Sequence, residues 1–246
     1  MKEAIKQYLD THNYKRIHLK TVLFDMDGVL FNSMPYHAEA WHRVMKEYGM
    51  NLSREEAYLH EGRTGASTIN IVSLRDRGRE ATPEEIEEIY ARKSELFNNN
   101  PEALPMEGAL ETLEQVKADG LIPMIVTGSG QKSLLDRLNT HFPHIFKKEL
   151  MVTAYDVKYG KPNPEPYLMA LQKGGLKPNE AIIVENAPLG VEAGVASGVF
   201  TVAVNTGPIP DEALTGKGAN YLLPSMKALS EKWKEIKILM DESANR

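Results

Sequence analysis

The stretch TVLFDMDGVL, residues 21–30, decides the fold of this chain. Its first four residues are mostly apolar and run into a turn, which is typical of a buried strand in a parallel sheet. Asp25 and Asp27 follow at a spacing of i and i+2, so their carboxylates point the same way if the extended conformation continues. Two like charges at the end of a buried strand are costly unless a cation or a catalytic task keeps them there. The alternative is a strand cap or a solvated turn.

Composition excludes several classes of protein. The chain has 246 residues, enough for one large domain or for a domain with an inserted module. Its net charge of −5 disfavours a nucleic-acid partner, and the absence of cysteine excludes disulfides, thiolate metal sites and a cysteine nucleophile. No apolar run approaches the roughly 20 residues that cross a bilayer, and there is no secretory signal. We therefore expect a soluble cytoplasmic protein without membrane contact, and no obligate protein partner is evident.

The chain between residues 35 and 100 carries only helical signals. Ser53 with Glu56 and Thr82 with Glu85 have the spacing of capping boxes, and Pro83 occupies a favourable first helical position. These signals predict a small helical bundle with helices over 36–48, from 53 onward, over 64–76 and over 82–97. A further amphipathic helix is expected within residues 1–18, on the outside of the main domain.

After Pro105, helical segments alternate with short apolar runs. Such alternation predicts βαβ units, a parallel sheet and helices on both of its faces. The strand at 21–24 must join this sheet, because it has no other partner. We therefore predict an α/β fold with a core domain of residues 1–33 and 105–246 and an inserted helical domain of residues 34–104. The expected later strands are 121–126, 150–152, 181–184, 199–204 and 221–223, and 205–218 is expected to be a long surface loop.

Chemically active residues follow the strands of this predicted sheet. Ligands of open parallel sheets bind beyond the carboxyl ends of the strands. The segments found there are Asp25–Asp27, Thr127-Gly128-Ser129, the Gly160–Pro166 stretch with Lys161, and Glu185-Asn186. Together they offer carboxylates and an amide for a hard cation such as Mg²⁺, a hydroxyl and amides for phosphate oxygens, and a positive charge. That combination suits phosphoryl transfer.

Each of these segments also has an ordinary structural interpretation. Thr127-Gly128-Ser129 could be a strand-to-helix turn with an N-cap, Lys161 a solvated lysine, and Asn186 the cap of a helix. Their convergence at one edge of the sheet favours the functional interpretation.

The same segments resemble the motifs of the haloacid dehalogenase superfamily. They are DMDG at 25–28, TGS at 127–129, KPNPEPY at 161–167 and ENAPLGVEAG at 185–194. They occur in the family's order within residues 19–205, and the helical insertion matches the family's α-helical cap. The resemblance implies a Rossmann-like core with a cap domain. YHAEAW at 36–41 is similar to the β-phosphoglucomutase-like subgroup.

The resemblance implies roles for these residues. Asp25 would be the nucleophile and form an aspartyl phosphate, and Asp27 would be the general acid and then the base. Lys161 would neutralise charge, while Thr127 and the backbone of Gly128 and Ser129 would hold the phosphoryl oxygens. The implied Mg²⁺ ligands are the Asp25 carboxylate, the Asp27 carbonyl, Glu185 and Asn186.

The sequence departs from the family pattern at two places. Asn186 stands where the family often has a second aspartate. In the cap, Glu61 and Gly65 stand where β-phosphoglucomutases carry a lysine and the arginine that grips the non-reacting phosphate. Arg63 lies nearby and is a candidate substrate contact. His37 is a further candidate on the substrate side, and we expect it to act as a hinge or orienting residue rather than as a ligand.

Glu61 has two interpretations. It is either a solvated cap carboxylate or a residue that cap closure brings to the metal, and the subgroup includes inorganic pyrophosphatases with an acidic residue in this region. We expect a Mg²⁺-dependent phosphohydrolase of a small phosphorylated substrate, with pyrophosphate as the sharper hypothesis. A β-phosphoglucomutase is the alternative, and a non-catalytic phospho-acceptor module like a receiver domain is a remote one.

Overall fold

A five-stranded parallel sheet forms the centre of the described part of the chain. The computed structural model describes residues 1–130 and 132–243, with side chains for all of these except 132–135. The strands are β1 (Thr21–Phe24), β2 (Ile122–Ile125), β3 (Ala181–Glu185), β4 (Phe200–Val204) and β5 (Tyr221–Leu223). They are arranged in the order β2-β1-β3-β4-β5. The predicted α/β fold is confirmed, and the strand with the acidic pair lies inside the sheet.

The side chains of β1 alternate between the two faces of the sheet. Val22 and Phe24 belong to the larger hydrophobic core, which continues into the cap, whereas Leu23 belongs to a second core with Tyr167. Both faces are therefore buried, which explains why this strand reads as a continuous apolar run.

Helices cover the sheet and form the insertion. The core helices are α1 (Lys2–His12), α6 (Ala109–Ala118), α7 (Lys132–His141), α8 (Glu165–Gly174), α9 (Pro188–Ala196), α10 (Asp211–Thr215) and α11 (Met226–Asp241). The helices of the cap are α2 (Met34–Glu47), α3 (Arg54–Leu59), α4 (Gly65–Arg77) and α5 (Pro83–Asn98). No helix among the described residues combines the length and the apolar character needed to span a membrane.

The two connections between core and cap run side by side. Phe31 and Pro105 form an antiparallel bridge, the Asn32 amide donates to Leu104 O at 2.9 Å, and the Met106 amide donates to Leu30 O at 2.8 Å. The insertion therefore leaves and re-enters the core a few residues after Asp27. Our division of the chain at residues 34 and 104 places the boundaries next to this pair of connections and remains a prediction.

The two predicted capping boxes have different outcomes. The box at Thr82 and Glu85 is complete, with reciprocal hydrogen bonds of 3.3 and 2.8 Å. Ser53 accepts from the Glu56 amide at 3.0 Å, but the Glu56 carboxylate pairs with Arg75 of α4 instead of returning to Ser53. A tertiary ion pair has thus replaced the local hydrogen bond.

Two predictions about secondary structure were wrong. Residues 150–152 form no strand: a 3₁₀ helix at Lys148–Leu150 is followed by a single bridge between Val152 and Val126. The pairing stops there because the next residue, Thr153, turns back and bonds Asp156 through both its amide and its hydroxyl. The expected loop at 205–218 contains α10, whose first turn carries acidic residues that favour a helix N-terminus.

Candidate active site

The structure brings the predicted site residues together at the carboxyl edge of β1, β2 and β3. Asp25 follows β1, Thr127 follows β2, and Glu185 with Asn186 closes β3. The side chain of Lys161 enters the same place from the loop before α8 and is only 2 % exposed. Parallel strands make this convergence necessary, because their carboxyl ends lie at one edge of the sheet.

Lys161 joins two of these carboxylates. Its Nζ donates to Asp25 Oδ1, to Glu185 Oε1 at 2.5 Å and to Val126 O at 3.1 Å. Burial disfavours the charge of the amine, but the two carboxylates outweigh burial and hold the pKa of Lys161 above its usual value. Lys161 is therefore a permanent positive charge beside Asp25.

Asp25 has an unusual protonation equilibrium. Burial and the nearby carboxylates of Glu185 and Asp27 raise the pKa of Asp25 to about 7, although Lys161 opposes the rise. An additional cation at this place would favour the ionised form.

Glu185 is fully hydrogen-bonded within the protein. Oε1 accepts from Lys161 and from the Tyr167 hydroxyl at 2.8 Å, and Oε2 accepts from the amides of Asn186 and Ala187 at 2.9 and 3.1 Å. A Cβ at Gly190 would lie 1.9 Å from Oε1, so the start of α9 leaves room for this carboxylate only because residue 190 is glycine. Here the carboxylate orients Lys161, and its role as a metal ligand remains a prediction.

Asp27 belongs to a chain of hydrogen bonds that leads into the cap. Its Oδ1 accepts from Ser33 Oγ at 2.6 Å and lies 3.1 Å from His37 Nε2. His37 Nδ1 is 2.7 Å from Lys93 Nζ. Because Lys93 can only donate when it is charged, we assign the proton of the ring to Nε2, from which His37 donates to Asp27. Burial opposes ionisation of Asp27, yet His37, Ser33 and Lys93 hold the pKa of Asp27 below its usual value.

Sequence reasoning missed Lys93. Burial lowers the pKa of Lys93 to about 7, and its amine lies over the rings of Trp41 and Phe97 at 5.3 and 5.2 Å. The available signal was its position in α5, where it shares one helix face with the buried Ile89 and Leu96. A lysine within an apolar stripe is rarely fully buried without a partner. Tyr167 was quoted as part of the 161–167 motif but was given no role, and Ser33 and Tyr90 were missed without any local pattern to mark them.

The loop after β2 packs closely against the cap. The Thr127 hydroxyl accepts from the Ser129 amide at 3.0 Å, and Thr127 and Ser129 line the pocket together with Gly128. A Cβ at Gly128 would lie 2.6 Å from Gly62 O, so a side chain there would separate the cap from the core.

The cap segment that carries Glu61 lies directly on the site. Asn186 Nδ2 donates to Glu61 Oε1 and Oε2 at 3.1 and 3.3 Å. Burial, together with the carboxylates of Asp25 and Glu185, raises the pKa of Glu61 well above its usual value. Glu61 is thus a half-buried site residue in this structure rather than a solvated carboxylate. Arg63 also lines the pocket, and its buried Nε has no hydrogen-bond partner.

Tyr90 occupies the space beside Gly65. A Cβ at Gly65 would lie 2.2 Å from the Tyr90 ring, and both residues line the pocket with Asp25 and Lys93. The position that bears the phosphate-gripping arginine in β-phosphoglucomutases therefore has no room for a side chain unless Tyr90 moves.

The donor set fits Mg²⁺. Within residues 1–130 and 132–243, no three His, Cys, Asp or Glu side chains form a metal-binding group by themselves. The buried Oδ1 of Asn186, however, has no hydrogen-bond partner. An amide oxygen, the backbone carbonyl of Asp27 and one or two carboxylates are a hard oxygen set, and Mg²⁺ completes such a set with water.

Comparison with known proteins agrees with this geometry. The family model for haloacid dehalogenase-like hydrolases matches residues 22–204. A solved structure from Bacteroides vulgatus, provisionally named a β-phosphoglucomutase, has a TM-score of 0.96 and 64 % identity and covers 98 % of each chain.

Two curated relatives match over similar lengths. Hexitol phosphatase A of Escherichia coli (strain K12) is 34 % identical over 189 residues, which are 76 % of this chain and 83 % of the relative. Pyrophosphatase PpaX of Bacillus cereus (strain AH820) is 28 % identical over 195 residues, again 76 % of this chain and 83 % of the relative. The resemblance derived from the motifs is confirmed. The chain belongs to the haloacid dehalogenase-like hydrolase family and is an enzyme of its phosphatase and phosphomutase type.

Proposed function

We propose that this enzyme is a Mg²⁺-dependent phosphohydrolase that acts through an aspartyl phosphate on Asp25, and that inorganic pyrophosphate is its substrate. The carrying observation is the carboxylate of Glu61, which the cap holds against Asn186 at the edge of the cation site. Burial and the neighbouring carboxylates favour the neutral form of Glu61, and a bound cation would favour its ionised form. The ionised Glu61 would repel a long anionic ester tail and complete the coordination of the cation that neutralises a compact substrate.

Asp25 and Lys161 perform the first half of the proposed reaction. The ionised Asp25 attacks phosphorus, and Lys161, bonded to Asp25 Oδ1, offsets negative charge on the nucleophile and the transferring group. Mg²⁺ supplies the charge neutralisation that lets a carboxylate approach an anionic phosphoryl group. Asp25, Asp27 O and Asn186 would hold it, with Glu61 and Glu185 as the further candidates.

Asp27 moves the proton in both halves. Among the described contacts, Ser33 and His37 both bind Oδ1, so we assign proton exchange to Oδ2. Because its pKa is lowered, Asp27 is ionised in the free enzyme and must take up a proton when the anionic substrate binds. Asp27 then protonates the leaving phosphate as the bond to phosphorus breaks, and the resulting carboxylate takes a proton from the water that attacks the aspartyl phosphate. Thr127 and the following backbone hold the phosphoryl oxygens, while His37 keeps its expected orienting role.

The shape of the cap side supports a short substrate. Tyr90 fills the space at Gly65, and Arg63 with its unpartnered Nε is a cation on the cap side that the leaving phosphate could contact. A mutase must hold both ends of a sugar bisphosphate, and binding energy at the second phosphate is what makes that reaction possible.

The relatives favour a second candidate function. The Bacteroides vulgatus structure and hexitol phosphatase A point to phosphorylated sugars as substrates. In that case the enzyme would be either a mutase or a sugar phosphatase. The family match to hydrolases gives no support to the third hypothesis, a non-catalytic phospho-acceptor module.

A parallel assay separates these functions. Purified enzyme with Mg²⁺ is supplied with pyrophosphate, β-glucose 1-phosphate or a hexitol phosphate, and both phosphate release and glucose 6-phosphate are measured. We expect the highest kcat/KM for phosphate release from pyrophosphate. Formation of glucose 6-phosphate with little net phosphate would identify a mutase, and preferential release from the hexitol phosphate would identify a sugar phosphatase.

A further inference from the structure

The loop after β4 contacts the catalytic loop across an intervening strand. Thr206 Oγ1 donates to Gly28 O at 2.6 Å, although the two residues are 178 positions apart. In the sheet, β3 lies between β4 and β1. The hydroxyl therefore links the end of β4 to the residue that immediately follows Asp27.

Gly28 has a conformation that residues with a side chain rarely adopt. Its φ is +81°, in the left-handed region, and a Cβ there would lie 2.1 Å from Asn186 Nδ2. Its amide donates to Phe31 O at 2.8 Å. Thr206 holds the carbonyl of Gly28 and Phe31 holds the amide, so both peptide groups of this flexible residue are fixed. The peptide group whose amide is bonded to Phe31 O contains the carbonyl of Asp27, and the peptide group that Thr206 holds is the next one along the chain.

Thr206 is itself held by an anchored loop. The side-chain Nδ2 of Asn205 donates to Ile209 O at 3.0 Å and to Asp211 Oδ1 at 2.6 Å. Its backbone amide continues the pairing of β4 with β5 by donating to Leu223 O at 2.8 Å. The next residue, Gly207, faces the cap, since a Cβ there would lie 3.3 Å from the Tyr58 ring. The loop thus contacts the catalytic loop and the cap through adjacent residues.

We propose that Thr206 is a positioning residue for Asp27: its hydroxyl fixes Gly28 and thereby the direction of the Asp27 carbonyl and carboxyl groups. The proposal rests on the acid–base role assigned to Asp27 under the proposed function. It assigns a contribution to catalysis to the end of β4, where none of the four family motifs lies.

The test compares Thr206→Val, which removes the hydroxyl at nearly constant volume, with Thr206→Ser, which keeps it. Thr215→Val is the matched control, because the Thr215 hydroxyl bonds Asp211 O on α10. With p-nitrophenyl phosphate and Mg²⁺, we expect Thr206→Val to lower kcat about tenfold or more while KM changes less than about threefold. Thr206→Ser should restore kcat to within about threefold of the parent enzyme, and the control should match the parent.

Hydrogen exchange supplies a readout that does not depend on turnover. In metal-free protein, the amides of residues 28–31 should exchange about tenfold faster in Thr206→Val than in the parent or in Thr206→Ser, at an unchanged circular dichroism spectrum. Any one of three results would overturn the proposal. They are unchanged exchange in Thr206→Val, a kcat of Thr206→Val within about twofold of the parent, and a failure of Thr206→Ser to restore kcat. A parent enzyme that ignores pyrophosphate but shows these differences would refute the proposed substrate and leave the role of Thr206 intact.

Discussion

Glu61 of the cap and Asn186 at the end of β3 share a hydrogen bond of 3.1 Å across the interface of the two domains. The bond uses the amide nitrogen of Asn186 and leaves its buried Oδ1 without a partner. The two side chains therefore present an amide oxygen and a carboxylate at one place, and the cap supplies the carboxylate. Cap position and cation binding should consequently depend on each other.

Glu61→Gln should weaken Mg²⁺ binding. The amide retains the shape of the side chain but removes the negative charge, so we expect the dissociation constant for Mg²⁺ to rise about tenfold or more. Isothermal titration calorimetry on the free enzyme measures it, and Glu87→Gln, on an exposed part of α5, is the matched control. An unchanged dissociation constant would exclude Glu61 from the cation site.

Asp25→Asn should abolish turnover and change the pH dependence of stability. The pKa of Asp25 is raised to about 7, so the folded state favours the neutral acid. Its stabilising contribution is complete below the ordinary pKa near 3.8 and is lost as the pH rises through about 7. In EDTA, the variant should therefore gain stability relative to the parent between pH 4 and pH 8.

Urea unfolding across that pH range measures the difference in the free energy of unfolding. Asp136→Asn, at an exposed position, should show no such trend. Residual turnover in Asp25→Asn would remove Asp25 from the role of nucleophile, and a flat stability difference would contradict the raised pKa.

Lys93→Met should slow catalysis and shift the pH profile. Burial and Lys93 lower the pKa of His37, and Lys93 also contributes to the low pKa of Asp27. Without this amine both pKa values should rise, so the acidic limb of the kcat profile should move to higher pH and kcat should fall about tenfold. Lys46→Met, on the exposed side of α2, is the control. A profile that coincides with that of the parent would show that Lys93 has only a packing role.

Tyr90→Ala should broaden the substrate range. Removal of the ring opens the space next to Gly65, so the ratio of kcat/KM for pyrophosphate to that for glucose 6-phosphate should fall about tenfold or more. Tyr90→Phe keeps the ring and loses only the hydroxyl, and it should retain the ratio of the parent. If both variants retain it, the length of the pocket does not limit the substrate.

The central residues of the site were predictable from the sequence because two general rules place them, one for buried parallel strands and one for the sheet edge at which their ligands bind. A short apolar run followed by Asp25 and Asp27 predicts a buried strand with an acidic end, and parallel strands place their ends at one edge. Thr127 could be placed for that reason, without knowledge of any side-chain distance, whereas Lys161 was placed there behind a predicted strand at 150–152. The same rule misassigned residues 150–152, since an apolar run cannot reveal that Thr153 turns back to Asp156.

By itself, then, the sequence determined that strands and helices alternate along the chain and that a helical segment is inserted after β1. It also determined which acidic, hydroxyl and lysine groups lie at one edge of the sheet. Only the tertiary structure decided what faces those groups: Glu61 against Asn186, Tyr90 against Gly65, Lys93 against His37 and Thr206 against Gly28. These pairs join residues that are far apart in the chain, and their contacts depend on how the cap and the loops pack onto the core. Local periodicity reports which face of an element is buried, whereas it carries no information about which distant side chain will meet that face.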